Sequence, residues 1–368
     1  MSTPIPKLFQ PLRVGNFTLS HRVVLAPLTR TRANKDHVHG DLAVEYYSQR
    51  ASVPGTLLIT EATFIAAKAG GFPHVPGIWN DEQVIAWKKV TDAVHEKGSR
   101  IFCQLWALGR AANADVLKAE DPSYDVVSAS NIPFVGGATP RALSISEIKE
   151  YVQLYTTAAK NAIRAGFDGV EVHGANGYLI DQFLQDVSNK RTDEYGGSVE
   201  NRARFALEVI DSVIKAIGQE RVGLRVSPWG ILQGMCMNDP KPTFAYLVSR
   251  VAELYTGFAY VHTVEPRTQG EAFREHGPEE SNDFLRDIWA PRPFITAGGY
   301  TRELALEQSE KSGNLIAFGR IFISNPDLPL RLAKDLTLTV GNRETYYVPE
   351  IAHGYTDYPF SDDPRAFL

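Results

Sequence analysis

The chain has 368 residues, 43% of them hydrophobic and 22% charged, the make-up of an ordinary folded protein with a sizeable core. Its formal net charge of -5, with no long basic run, argues against a nucleic-acid or anionic-membrane surface and leaves small molecules as the expected partners. Two cysteines, Cys103 in an apolar run and Cys236 in a polar one, exclude a disulfide framework and fit a reducing compartment.

Met1 to Lys7 hold no hydrophobic signal core, and no apolar run is long enough to span a bilayer, so the expected location is cytoplasmic. Leu8 to Ser20 contain Gly15-Asn16 between short apolar stretches, which predicts a β-hairpin capping one end of the core. Arg22 to Pro27 read as a first buried strand, with Leu28, Thr29 and Arg30 just beyond it. From there one unit recurs: a helix-like stretch, a glycine, a short apolar run rich in β-branched or aromatic residues, then polar residues. Gly55, Gly98, Gly166, Gly218, Gly257 and Gly313 each precede such a run, where a helix C-terminus favours a residue able to adopt positive φ. The runs are 56–61, 100–106, 169–173, 222–226, 258–263 and 315–319, with 293–297 as one more.

With the first strand these make eight strands alternating with helices, the number that closes a parallel barrel. The expectation is a single α/β domain over residues 1–368, a (β/α)8 TIM barrel with an N-terminal hairpin cap. An open doubly wound sheet competes less well, because no Gly-x-Gly-x-x-Gly follows any strand. Two helices are strongly specified. Ser144 and Glu147 form a capping box ahead of Ile148, Tyr151, Val152, Tyr155, Ala158, Ala159, Ala162 and Ile163, and Gly166 stops that helix. Past Ser198, Phe205, Val209, Val213 and Ile217 recur every four residues until Gly218.

The richest stretch runs from Asp168 to Tyr178. Val170 and Val172 mark a buried strand; then an imidazole, a carboxamide and a phenol follow at His173, Asn176 and Tyr178, close enough for one helical turn or a tight loop to gather them. Two donors aimed at one point can hold a carbonyl oxygen, and a nearby phenol, protonated at its ordinary pKa of about 10, can deliver a proton. The bland alternative is a structural histidine followed by a turn.

Active sites of parallel barrels lie where strands end. Collected there are Pro27 and Thr29, Glu61 and Ala62, Gln104 and Trp106, the His173 cluster, Arg225, Gly298 and Gly299, and Gly319 with Arg320. Arg225 inside an apolar strand demands an anionic or electron-rich partner, which a core salt bridge would also satisfy. Glycines after strands seven and eight, beside a cation at Arg320, suit a phosphate. Thr29 and Gln104 on neutral heteroatoms, Arg225 near an electron-rich ring and a phosphate nest are together compatible with a flavin mononucleotide lying across the barrel mouth.

Six segments carry a resemblance to a known family: Ala26 to Arg30, Gln104-Leu-Trp106, His173 to Tyr178, Asp193 to Arg202, Gly319 to Asp327 and Ala352 to Pro359. Along nearly its whole length the chain resembles the Old Yellow Enzyme family of flavin-dependent ene-reductases, in its fungal-type form. The resemblance implies non-covalent FMN, with Pro27, Thr29, Ala62, Gln104, Arg225, Gly298, Gly299, Gly319 and Arg320 binding it. Among these, Thr29 would meet the flavin near its C4 carbonyl and N5, Gln104 the pyrimidine edge, Arg225 the N1/C2 side, and Gly299, Gly319 and Arg320 the phosphate. His173 and Asn176 would grip a carbonyl or nitro oxygen, Tyr178 would donate the proton, and Trp106 and Tyr347 would line the pocket.

The chain departs from the family at Ala62, where glycine is usual, and over 265–282, a substrate-covering loop in the family. The implied activity is ping-pong reduction of the activated C=C bond of enones, enals and nitroolefins by NADPH, in a monomer or homodimer. A reductase or isomerase dedicated to a fungal-type secondary metabolite is the alternative. A barrel hydrolase would want paired carboxylates or a metal, and only Glu61 and Glu265 are obvious strand-end carboxylates, while His37-Val-His39 lacks a metal-ligand pattern. A flavin-storage protein could dispense with His173, Asn176 and Tyr178.

Overall fold

The computed structural model describes residues 4–269 and 272–363. A hairpin of β1 (Leu12–Val14) and β2 (Phe17–Leu19) leads into eight parallel barrel strands. These are β3 (Val23–Leu25), β4 (Leu57–Ile59), β5 (Arg100–Trp106), β6 (Gly169–Gly174), β7 (Val222–Val226), β8 (Tyr260–Val264), β9 (Phe294–Ala297) and β10 (Leu315–Phe318). Each pairs in parallel with its sequence neighbours, and β10 pairs with β3, so the sheet closes on itself. A helix follows each strand: α1 (Asp41–Arg50), α2 (Asp81–Glu96), α3 (Ile145–Arg164), α4 (Val199–Ile217), α5 (Lys241–Leu254), α6 (Asp283–Trp289), α7 (Arg302–Ser312) and α8 (Leu328–Lys334). No described helix is long and apolar enough to cross a membrane.

Strand parity sorts the side chains into two cores. Val23, Leu25, Leu58, Ile101, Cys103, Leu105, Val170, Val172, Leu224, Val261 and Ile316 pack outward with the helices. Val24, Ala26, Leu57, Ile59, Phe102, Tyr260, Ile295, Ala297, Leu315 and Ala317 point inward, where Val14, Phe17 and Leu19 of the hairpin join them. The hairpin thus plugs one end of the barrel. A Cβ at Gly169 would collide with the Phe102 ring and one at Gly223 with the Tyr260 ring, so these two glycines leave the interior to the larger side chains.

The strongly patterned helices form as expected. Ser144 and Glu147 make the reciprocal capping box of α3, and Ser198 accepts from the Asn201 N–H at the start of α4. Five of the six glycines read as stops have positive φ; Gly257 does not, because α5 already ends at Leu254 and Gly257 sits in the turn that follows.

Candidate active site

At the other end of the barrel the inward positions turn polar. On β5 the residue after Phe102 with the same parity is Gln104; on β6 the inward row is Gly169, Glu171, His173; on β7 it is Gly223, Arg225; on β8 it is Tyr260, His262. The register sets Gln104 beside Glu171, and Arg225 beside both His173 and His262. Side chains follow the register. Gln104 Nε2 donates to Glu171 Oε1 at 2.7 Å, and His262 Nδ1 lies 2.8 Å from Glu171 Oε2. Burial favours a neutral Glu171 carboxyl, yet the His262 N–H, the Arg225 guanidinium and the Gln104 amide outweigh it and hold the pKa below the ordinary range. His262 is pushed down by burial in spite of its carboxylate neighbour. Arg225 Nε, His262 Nε2 and Trp106 Nε1 are buried without a hydrogen-bond partner among the described residues. Unspent buried groups need a polar ligand, and for the donor at Arg225 Nε a flavin's carbonyl-bearing ring can supply the acceptor.

His173 closes the inward row of β6. Its Nδ1 accepts the Ala175 N–H at 3.3 Å, so the neutral ring carries its proton on Nε2 and presents a donor there. Burial, then the positive Arg225 and the neighbouring His262, push its pKa well below the ordinary value, which keeps it neutral. The chain then makes a tight turn rather than a helical turn. Asn176 adopts φ 60 and donates its backbone N–H to Ser227 Oγ at 2.7 Å, and a short helix begins only at Leu179. Gly177 donates to Asp181 Oδ2 at 2.8 Å, and its carbonyl accepts from Gln182 Nε2 at 2.8 Å.

This turn brings Tyr178 edge-on to His173, with centroids 5.0 Å apart, and to Trp106 at 4.7 Å. Trp106 in turn stacks on Phe64 at 5.0 Å, and Ala62 is buried in the same apolar cluster. The Tyr178 phenol is not at its ordinary value. Burial and the neighbouring Tyr347 raise it to about 12, against the opposing pull of Gln233 and Arg225.

The loop after β7 supplies contacts the sequence did not advertise. Gln233 reaches Tyr178 while its own backbone sits at φ 57, ψ 34, and the buried Arg110 donates from Nη2 to the Gln233 carbonyl at 2.9 Å. Glu171, His262, Gln233, Arg110 and Ser227 are all absent from the residues collected at strand ends. The parity of β6 was the available signal: Glu171 and His173 alternate with Val170 and Val172, which puts a carboxylate inside the barrel.

At the opposite side of the mouth, Gly298 and Gly299 have φ of 136 and 60, and Gly319 begins the short helix Arg320–Ile323. The loop after β3 is adjacent, since a Cβ on Gly319 would lie 3.1 Å from Leu28; Pro27 is buried there and Thr29 half-buried. Phe273 lies against Gly299 and within 5.2 Å of the Arg320 guanidinium, and Arg267 Nε donates to the Gly298 carbonyl at 2.6 Å. The loop over 265–282 thus drapes across this side. Its short pair Thr268–Gln269 and Ala272–Phe273 flanks residues 270–271, which lie outside the described residues.

The two strand-end carboxylates are tied down locally. Glu61 accepts the Arg30 N–H at 3.2 Å and faces His39 Nε2 at 3.2 Å, and Glu265 accepts from Thr296. Tyr347 stands at the rim, 49% exposed. Its neighbour Tyr346 offers a carbonyl to Arg30 Nε at 3.2 Å and to Arg32 Nη1 at 2.9 Å. Arg32 also reaches the Thr345 carbonyl, Arg30 the Gly354 carbonyl and Arg50 the Tyr355 carbonyl, while Tyr46 and Tyr355 stack at 4.1 Å among these cations.

Comparison with known proteins agrees with this geometry. The chain is 52% identical over 360 residues to chanoclavine-I aldehyde reductase fgaOx3 of Penicillium roqueforti, covering 96% of each chain. It is 50% identical to the NADP-dependent oxidoreductase lnbE of Aspergillus flavus, covering 97% of each. A solved structure of morphinone reductase superposes with TM-score 0.90 at 40% identity, covering 99% of this chain and 98% of that one. Old Yellow Enzyme from Pichia gives TM-score 0.89 at 40% identity, covering 98% and 95%. The model of the NADH:flavin oxidoreductase / NADH oxidase family matches residues 7–339, and the chain belongs to that family: it is a flavin oxidoreductase of the Old Yellow Enzyme type.

Proposed function

We propose that this protein binds FMN across the barrel mouth and reduces the activated C=C bond of α,β-unsaturated carbonyl compounds, with NADPH as the electron source. The observation that carries the reading is the convergence of a neutral His173 donor and the Tyr178 phenol, walled by Trp106, beside the buried Arg225 guanidinium with its unspent Nε. When bound, FMN supplies the hydride chemistry. Arg225 and Gln104 hold the ring's polar edge, Thr29 and Pro27 meet its other side with Ala62 nearby, and Gly298, Gly299, Gly319 and Arg320 take the phosphate.

His173 Nε2–H and the Asn176 carboxamide hold the substrate oxygen, where negative charge grows as the bond is reduced. Preorganised donors at such a point are worth about 2.7–4 kcal/mol each. Tyr178 delivers the proton to Cα. With its pKa at about 12 the phenol stays protonated at neutral pH, and Trp106, Tyr347 and the Gln233 loop shield it from water. NADPH as donor is supported by the NADP-dependent relative.

A narrower reading has support of its own. Two relatives are named for aldehyde reduction, chanoclavine-I aldehyde reductase and aldehyde reductase FrzD of Cladobotryum, which favours an unsaturated aldehyde of a secondary metabolite as the natural substrate. The test is anaerobic. Purified protein should be yellow and release FMN on denaturation; once reduced with NADPH, it should be reoxidised by enones and enals. A folded protein that stays colourless with added FMN refutes the first part, and reduced protein inert to every unsaturated carbonyl refutes the second.

A further inference from the structure

Beneath the polar edge of the mouth, the carboxylate of Glu171 has no assigned part in the chemistry, yet it is fully buried and touches two of the groups that face the cofactor site. An ionised carboxylate has no hydrogen to give, so the Gln104 atom 2.7 Å from Glu171 Oε1 must be the amide nitrogen. His262 takes the other oxygen from Nδ1, and a flipped Gln104 would set its amide oxygen against the carboxylate, acceptor against acceptor. With Nε2 committed, Oε1 is the Gln104 atom free to accept a hydrogen bond from a ligand. Arg225, in register with His262 one strand over, can only donate, and its Nε is unspent. One fixed acceptor next to fixed donors matches an imide edge, an N–H flanked by carbonyls.

On the proposed FMN reading, we infer that Glu171 is a positioning residue. It locks Gln104 as an acceptor toward the imide N–H of the flavin, and its charge offsets that of Arg225 beneath the ring. Two consequences are separable. Without the carboxylate, Gln104 is free to present its NH2 and oppose the imide N–H, donor against donor. Arg225 would also stand uncompensated and favour the electron-rich reduced ring.

The experiment compares wild type, Glu171→Gln and the exchanged pair Gln104→Glu/Glu171→Gln. Circular dichroism of each apoprotein reports folding, fluorescence titration gives the FMN dissociation constant, and equilibrium reduction against a reference dye gives the midpoint potential. Glu171→Gln should bind FMN about tenfold more weakly, the worth of one hydrogen bond made unreliable. Its reduction equilibrium should shift by tenfold or more toward the reduced flavin, at least about 30 mV for a two-electron couple. The exchanged pair should recover most of the affinity and potential, because a carboxylate at 104 can only accept and the site's net charge is restored.

A folded Glu171→Gln with wild-type affinity and potential overturns the inference, as does an exchanged pair no better than the single variant. If the single variant does not fold, the exchanged pair decides alone: near wild-type FMN affinity supports the lock, and lost affinity in a folded protein overturns it. Wild type that takes up no FMN overturns the cofactor reading itself, an outcome distinct from either.

Discussion

Replacing Tyr178 by phenylalanine separates proton delivery from everything else the pocket does. The ring's two edge contacts, to Trp106 at 4.7 Å and His173 at 5.0 Å, involve no hydroxyl, so the substituted ring keeps its seat and the aromatic wall stays intact. What is lost is one acidic hydrogen, together with the Gln233 contact to the hydroxyl. With the pKa raised to about 12, roughly one phenol in 10⁵ is ionised at pH 7, so wild type carries the proton in essentially every molecule and the variant in none. Positioned acid catalysis is worth about 10²–10⁴-fold, or about 3–5 kcal/mol of barrier. Enones, which require protonation at Cα, should therefore reoxidise the reduced variant more slowly by that factor. Quinones, reduced at their oxygens, and nitroolefins, whose nitronates persist in water, should be little affected. The measurement is anaerobic stopped-flow reoxidation with one substrate of each kind. Equal enone rates in wild type and variant would remove Tyr178 from the chemistry; equal losses on all substrates would show a damaged pocket instead.

Other residues give independent outcomes. Arg320→Ala should weaken FMN retention by about 10- to 100-fold through loss of a charge-assisted bond, read by fluorescence on dilution, and an unchanged dissociation constant would place the phosphate elsewhere. Thr29→Ala should slow reduction by NADPH and lower the flavin potential, since a hydroxyl on the C4 carbonyl favours the electron-rich ring; identical rate and potential would exclude that contact. Asp181 offers a pH test. Burial raises its pKa to about 7, over the opposing bonds from Gln185 and Gly177 and the charge of Arg110. The folded state therefore holds this proton more tightly than the unfolded chain, whose carboxyl titrates near about 4, so its contribution is fully present below that value and is lost as pH rises to about 7. Asp181→Asn should lack this loss, and its Tm relative to wild type should climb between pH 4 and 7; a constant difference would refute the assignment.

Much of the barrel was legible because its signals are local. A glycine stop, a short β-branched run and a polar end recur within each unit, and the capping box of α3 lies within four residues. Strand ends also assign Gln104, His173, Arg225 and Arg320 to one mouth, because in a parallel barrel all strand C-termini share one face. Glu171 escaped because a lone acid in an apolar strand gains meaning only when closure of the barrel brings Gln104 and His262 to it from other strands. Gln233 escaped for a different reason: its loop is met by Arg110 through a backbone carbonyl, a contact no residue type announces. The ordinary pKa expected for Tyr178 failed because desolvation belongs to the assembled pocket and not to the side chain.

The tail held by Arg30, Arg32 and Arg50 bears on how the protein is made. These three guanidinium groups are buried early in the chain, yet they take acceptors from Thr345, Tyr346, Gly354 and Tyr355, some 300 residues later. Synthesis runs from the N-terminus, so for almost the whole of translation these cations lack those partners and cannot be desolvated at low cost. Thr29 is joined directly to Arg30, and Tyr347 to Tyr346, so the walls of the mouth inherit the delay. Cofactor capture is thus expected to be among the last events in this chain's biogenesis, and a nascent chain arrested before Thr345 should emerge colourless.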